Sequence, residues 1–292
     1  MFEELHFGRA AERLHIAQPP LSQAIRKLEE ALGVQLLVRT SRAVEATPAG
    51  VILAEEARKA IATFEFAVSE ARQAGRADST LRMGCVSYLP NSRLQLFLTE
   101  LKKRDDQVQH EVTHLPGAEQ VDRLRSGQLD LGVFMNPDDY PELEYEPLFP
   151  SEQISAIVRK GDRLAEKPVL RPNDLASATL LTYPRAANPV LYDRYMGRIE
   201  DAGFRFRARH EIGTDGRDVL LAVATGLGVA LGPASVVEIA EEGQSVVHRP
   251  LDPELRYPDM TVAWRANMPR RLRPRLGAVR EAARELYAAA AA

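Results

Sequence analysis

Two adjacent prolines, Pro19 and Pro20, stand between two stretches of helical periodicity and restrict how the start of the chain can fold. Proline lacks a backbone N–H and is readily accepted only in the first turn of a helix. The stretch from Leu21 to Leu32 therefore reads as a helix that begins at the prolines. Leu21, Ile25, Leu28 and Leu32 recur at helical spacing on one face, and Gly33 supplies a left-handed stop. Upstream, residues 8–14 read as a shorter helix with Ala10, Ala11 and Leu14 on one side. His15-Ile16-Ala17-Gln18 leaves room only for a tight connection. Residues 8–31 are thus expected to form a helix-turn-helix, with Ser22, Gln23, Arg26 and Lys27 of the second helix off the apolar face. Such side chains reach base edges and phosphates when a helix lies in a major groove, and an open helix start lets a phosphate come close.

Val34, Leu36, Leu37 and Val38 continue as a core segment, followed by the basic turn Arg39-Thr40-Ser41-Arg42 and by Val44 and Ala46 in alternation. This is the pattern of a small hairpin, a wing that would hold Arg39 and Arg42 near phosphates or the minor groove. Thr47-Pro48 reads as the N-cap and first residue of a long helix that runs to about Ala74. On it Ala57, Ile61, Phe64, Val68 and Ala71 follow alternating steps of four and three residues, the spacing of a coiled-coil seam. Residues 75–79, GRADS, read as a hinge.

From residue 80 onward the periodicity changes. Strand patterns at 80–87, 108–113 and 129–134 alternate with helical patterns at 92–104 and 117–125. Another strand follows at 154–158. Beyond Pro168 strand and helix alternate again, with strands at 179–182, 209–212, 229–231 and 260–264, helices at 189–202 and 216–226, and a final helix at 269–289. Repeated strand-helix-strand order implies an α/β domain built on parallel sheet, here in two lobes with a cleft between them, where small ligands bind.

The chain has 292 residues, room for roughly two or three domains. It has no apolar run long enough to span a membrane and no secretory signal pattern, so a cytoplasmic protein with no membrane partner is expected. Its single cysteine, Cys85, excludes an internal disulfide and a multi-cysteine metal site. His110 and His114 are spaced i, i+4 on a strand-like segment, so they make no helical zinc pair, and no metal or cofactor is expected. Phosphate-binding and nucleophile-elbow signatures are absent, and TGLGVALG follows a helix, which reads as a turn with tight packing. No catalytic set converges, so an enzyme is not expected. Residues 1–60 carry eight Lys/Arg and eight Asp/Glu within a chain of net charge -3, so one copy would hold DNA weakly. A dimer doubles the phosphate contacts.

The segment FGRAAERLHIAQPPLSQAIRKLEEALGVQLLVRTSRAVEATPAG resembles the winged helix-turn-helix of the LysR-type bacterial transcriptional regulators. AEQVDRLRSGQLDLGV and LLAVATGLGVALGPASVV resemble the two lobes of that family's effector-binding domain, which is similar to periplasmic solute-binding proteins. The resemblance implies an α+β winged helix-turn-helix domain at 1–47, a linker and dimerisation helix with its hinge at 48–79, and an α/β two-lobed, periplasmic-binding-protein-like effector domain at 80–292. The first lobe would take 80–160 and 266–292, the second 161–265. It implies that Gln18, Pro19, Pro20, Ser22, Gln23 and Arg26 line the DNA-facing start of the recognition helix, that Arg39 and Arg42 lie in the wing, and that the seam pairs with its twin. Ala24 stands where the family commonly has glutamine. The family also has a full first helix where only Met1 and Phe2 precede Glu3 here. The expectation is a shortened or misassigned start, which an intact-mass measurement of the natural protein tests.

Ser87 matches a family position that often contacts the effector, and Thr113 ends the next strand in a similar place. In the second lobe Pro184, Arg185 and Thr214 lie at strand ends and helix starts. The run TYPRAANPVLYDRY is similar to the branch of the family that governs aromatic catabolism, whose effectors are small carboxylates, and Arg185 could pair with one. That branch often has an arginine where Met135-Asn136-Pro137 stands here. The partners implied are double-stranded DNA, a small-molecule effector with aromatic or dicarboxylic acids as the class, a second copy in a homodimer or homotetramer, and RNA polymerase. A soluble small-molecule binding protein that does not touch DNA, or an α/β enzyme, would share much of the same pattern.

Overall fold

Small residues let the first two helices cross closely. A computed structural model describes residues 1, 2, 4–39, 44–73, 80–135, 137–240, 245–268 and 272–291. The chain divides into two compact units, Met1–Val68 and Ser69–Ala292. In the first, α1 (Phe7–Arg13) and α2 (Gln18–Leu32) meet at Ala10, Ala11 and Leu21, all buried, with Met1 and Phe7 packed against them. The His6 side chain caps α1 by accepting from Arg9 N–H. Gly33 ends α2 at φ 69°, the left-handed region where glycine has no Cβ penalty. The apolar face expected on α2 is covered only at its start. Leu21 is buried, but Leu28 and Leu32 are 40% and 46% exposed, and Leu14 of the turn is 54% exposed.

The hairpin follows as β1 (Leu37–Arg39) and β2 (Val44–Ala46), paired antiparallel from Leu37↔Ala46 to Arg39↔Val44. One side chain ties it to α2. The Glu29 carboxylate accepts from Leu36 N–H at 2.9 Å and Leu37 N–H at 3.1 Å, beside two buried leucine side chains. Thr47 caps α3 (Pro48–Gln73) by accepting from Gly50 N–H at 3.0 Å. Gly50 admits no side chain, because a Cβ there would lie 2.1 Å from Leu36 O. Glu29→Ala leaves the Leu36 and Leu37 N–H groups without this acceptor and is expected to cost about 1–3 kcal/mol. Calorimetry should show the first unit unfolding earlier, and an unchanged transition refutes the tethering role.

In the second unit the chain runs β3 (Thr80–Cys85), α4 (Asn91–Arg104), β4 (Gln109–His114), α5 (Gly117–Arg125), β5 (Leu131–Met135) and β6 (Leu143–Phe149). It continues as β7 (Ile154–Arg159), α6 (Pro172–Leu175), β8 (Thr179–Thr182), α7 (Pro189–Asp201), β9 (Ala208–Glu211), α8 (Gly216–Ala224), β10 (Val229–Pro233), β11 (Val246–Pro250), β12 (Met260–Arg265) and α9 (Arg273–Ala291). Two five-stranded sheets form, in the orders β4-β3-β5-β12-β6 and β11-β7-β10-β8-β9. In each, three neighbouring strands run parallel, β4-β3-β5 and β10-β8-β9, and two more join beside them by antiparallel pairing where the chain passes between lobes.

The topology corrects the expected lobe boundaries. β7, placed by sequence in the first lobe, pairs with β10 and β11 of the second sheet. β12, placed in the second, pairs with β5 and β6 of the first. The crossovers are therefore the segments between β6 and β7 and between β11 and β12. They are bonded together: Ile154 N–H donates to Leu255 O at 2.7 Å, Tyr257 N–H to Glu152 O at 2.9 Å, and Ser151 N–H to the Asp259 carboxylate at 2.8 Å. β6 carries no clear strand pattern in the sequence. Its proline, Pro147, and alternating glutamates weaken a strand pattern, but β6 is an edge strand, where proline is tolerated.

Both sheets are covered on two faces, so their inner strands are mostly apolar. In the second sheet Ala156, Val158, Leu180 and Val229 face one core with Phe204 and Ile199, while Ile157, Leu181 and Ala230 face another with Leu220 and Val223 of α8. The core of the first sheet holds Phe97, Leu101, Phe134 and Trp264, with Val279, Ala282 and Ala283 of α9. Among the described residues no helix is long and apolar enough to cross a membrane.

Candidate functional site

On the first unit, the buried side of α2 determines what its outer side presents. Leu21 faces α1, so Gln18, Pro19, Pro20, Gln23 and Arg26 are exposed and Ser22 is half-buried. No side chain caps the start of α2 at Ala17, and its first turn carries the prolines. The open N-terminus thus keeps its partial positive charge for an incoming anion. Arg39 lies in β1, opposite Val44. Arg42 lies outside the described residues, and so does the tip of the wing. Of the residues expected to form a seam on α3, Ile61 and Phe64 are 59% and 70% exposed, Ala71 is exposed, and Ala57 and Val68 are half-buried.

On the second unit, a cavity of about 230 Å³ opens between the two lobes. The first lobe contributes Tyr88, the start of α5 at Gly117, the end of β5 at Phe134 and Met135, and Asp139 and Tyr140. The second contributes the C-terminal ends of β8 and β10, the start of α8 at Gly216, and one face of α7. That face is Leu191, Arg194, Tyr195 and Arg198, at i, i+3, i+4 and i+7. Most of the wall is apolar, and the polar groups stand at a few points around it.

Several bonds join the lobes around this cavity. Arg194 holds Asp139 in a two-pronged ion pair at 2.9 and 3.1 Å. The Ser87 hydroxyl accepts from Gly216 N–H at 3.0 Å and lies 3.5 Å from Thr214 O, so a first-lobe side chain caps the start of a second-lobe helix. Ser92 donates to Glu238 at 3.0 Å. Glu152 takes Arg93 at 2.6 Å and the Ser235 hydroxyl at 2.9 Å.

Tyrosines supply the remaining polarity. The Tyr195 hydroxyl donates to Leu231 O at 3.0 Å and receives the Tyr257 hydroxyl at 2.8 Å, with the two rings stacked 5.5 Å apart. The Tyr183 hydroxyl is buried with no hydrogen-bond partner among the described residues. Burial pushes the phenols of Tyr183, Tyr195 and Tyr257 above their ordinary range, so each remains a neutral hydroxyl at physiological pH.

The expected effector residues fall into two groups. Thr214 lines the cavity, and Ser87 closes on it through Thr214 and Gly216. Thr113, Pro184 and Arg185 are not among the lining residues. Thr113 is exposed on β4, an edge strand, and the Arg185 guanidinium is held by the Asp193 carboxylate at 2.7 Å through Nε. A strand end is therefore not sufficient to reach the cleft. The cations at the cavity, Arg194 and Arg198, were legible only in the spacing along α7.

Residues 1–51 match the family described as bacterial regulatory helix-turn-helix protein, lysR family, and residues 74–288 match the LysR substrate binding domain. The chain is 31% identical over 264 residues to the HTH-type transcriptional regulator AlsR of Bacillus subtilis (strain 168), covering 90% of this chain and 86% of that protein. It is 34% identical over 267 residues to ShiR of Corynebacterium glutamicum (strain R), covering 90% and 88%. Among solved structures, full-length BenM superposes with a TM-score of 0.55 at 29% identity, covering 98% of this chain and 93% of that one. These relatives are transcriptional regulators, not enzymes. The helix-turn-helix with its hairpin, the long helix and the two-lobed cleft together place this chain in the LysR family of bacterial transcriptional regulators, as a DNA-binding protein with an effector-binding domain.

Proposed function

We propose that the protein is a cytoplasmic, homo-oligomeric regulator that reads DNA sequence through the start of α2 and responds to a small aromatic or dicarboxylic acid in the interlobe cavity. Gln18, Pro19, Pro20, Ser22, Gln23 and Arg26 meet the major groove, with Arg39 and Arg42 on the flanking backbone or minor groove. Two copies pair through Ala57, Ile61, Phe64, Val68 and Ala71 of α3, which doubles every contact on a two-fold site. The exposure of Ile61 and Phe64 supports that pairing.

The observation that carries the effector reading is the makeup of the cavity. Its apolar wall suits a ring or short hydrocarbon, while Arg194, Arg198 and the unpartnered Tyr183 hydroxyl offer cations and a donor to an acid group. An incoming carboxylate would compete with Asp139 for Arg194, so ligand and lobe-to-lobe bond are coupled. A ligand shifts the protein between states only if it binds them with different affinity, and this exchange gives such a difference. The altered state would change subunit packing on DNA and the recruitment of RNA polymerase.

A thermal-shift screen with aromatic and dicarboxylic acids tests the class. One or more acids should raise the midpoint of the wild type, and Arg194→Ala should weaken that acid roughly tenfold by titration calorimetry, the loss of one charge-assisted bond. No response to any acid refutes the class, and an undiminished response in Arg194→Ala removes the arginine from the site. A gel shift with DNA upstream of the gene and its neighbours tests the output. A salt-sensitive, sequence-preferring complex is expected.

A further inference from the structure

The second lobe contains another recess of about 230 Å³, walled entirely by its own residues. It lies at the far end of the same sheet. The cleft uses the C-terminal ends of β8 and β10, whereas the recess uses their N-terminal ends at Thr179 and Val229, with the C-terminal end of the antiparallel β7.

Three arginines from separate segments line it: Arg159 at the end of β7, Arg163 in the turn that follows, and Arg207 just before β9. Arg163 donates to the Ser177 hydroxyl at 3.1 Å and Arg207 to the Thr179 hydroxyl at 3.3 Å. The glycine-rich turn after α8 makes room for the third. Gly226 has φ 85°, and a Cβ there would lie 3.0 Å from Arg159 Nη1.

Among the described residues none of these three guanidiniums forms an ion pair. Elsewhere on the lobe Arg171, Arg185, Arg194, Arg209 and Arg256 each hold a carboxylate. Among the described residues the one acid in the recess, Asp162, is engaged by Leu164 N–H at 2.9 Å. Three positive charges thus share a concave site with one negative charge. The end of α8 lies nearby, but Thr225, Gly226 and Leu227 N–H already bond its last carbonyls. The residual half-charge of a helix end calls for no more than one cation. Like charges gathered this way repel, and an anion with several acceptor oxygens relieves the repulsion through the planar fork of each guanidinium.

We propose that this recess binds a small tetrahedral dianion, a phosphate that is either free or carried as a phosphomonoester on a metabolite. The site is separate from the cleft and does not rest on the identity of the effector. Titration calorimetry of the full-length protein with inorganic phosphate, at constant ionic strength in chloride, tests it. One saturable site per chain is expected, and Arg163→Ala and Arg207→Ala should each weaken it roughly tenfold or more. Arg171→Ala, which removes an arginine paired elsewhere, should leave it unchanged. Arg163→Lys keeps the charge and loses the fork, and should retain part of the affinity, which also covers an alanine variant that fails to fold. Tighter binding of glucose 6-phosphate than of phosphate assigns the site to a phosphorylated metabolite, and the reverse order assigns it to free phosphate. Absence of saturable binding, indifference to both arginine variants, or an equal loss in Arg171→Ala overturns the proposal.

Discussion

Alanine at both Gln23 and Arg26 is expected to lower affinity for the target DNA by about a hundredfold, without disturbing the fold. Both side chains are exposed on α2, so neither supports the packing of the first unit. A good base contact discriminates by about 1–3 kcal/mol, and a two-fold dimer carries each contact twice. Fluorescence anisotropy against specific and scrambled duplexes, over a range of salt, separates the possible roles. If Arg26 touches phosphate, its single variant should weaken both duplexes alike and reduce the salt slope. If it touches a base, only the specific complex should suffer. A double variant that binds its site as tightly as the wild type would take the start of α2 out of the interface.

The largest effect on stability is expected at Trp264. Trp264→Ala should destabilise the second unit by about 3–5 kcal/mol, a large share of what holds a typical domain together. The ring is fully buried in β12, its Nε1 donates to Glu144 at 3.3 Å, and the Arg280 guanidinium lies 5.2 Å above it. Arg280 also bonds Glu144 at 2.7 Å, so α9 and β6 meet around this side chain. β12 is the strand that brings the chain back from the second lobe, and loosening it also loosens the crossover beside the cavity. Calorimetry should show the lower midpoint, with effector binding lost at the same temperature. Trp264→Phe leaves a smaller gap and should cost less. An alanine variant that melts like the wild type would mean that the site closes over the missing ring.

The elements with strong local signals are legible in the sequence alone. Pro19 and Pro20 mark the first turn of α2, Gly33 ends it, and Thr47 caps α3 as its position before Pro48 suggested. The α5 pattern at 117–125 and the β8 pattern at 179–182 match their observed ends. In each case a neighbour within a few residues supplies the cause: a missing N–H, a left-handed φ, a hydroxyl acceptor or an apolar period. β6 failed the same reading because an edge strand has only one partner and tolerates both proline and charge.

The candidate site was less readable, for a related reason. Tyr88, Asp139, Arg194 and Tyr257 are far apart in the chain, and they meet only because two crossovers bring both lobes to one cavity. Arg185 and Arg194 both follow β8 in the chain. Arg194, within α7, reaches Asp139 of the first lobe, while Arg185, in the turn before α7, is held by Asp193. Periodicity reports whether a residue faces inward, which is a property of its own helix or strand. It does not report which sheet a strand joins. β7 and β12 are equally apolar, and either would satisfy the burial pattern of either lobe. Their exchange between the two sheets follows from pairing with strands distant in the chain, as in β12 with β5 and β7 with β10. The family, the helix-turn-helix and the two-lobed α/β plan were thus written in local chemistry, whereas the walls of the cavity and the partners of its charges came from long-range closure of the chain.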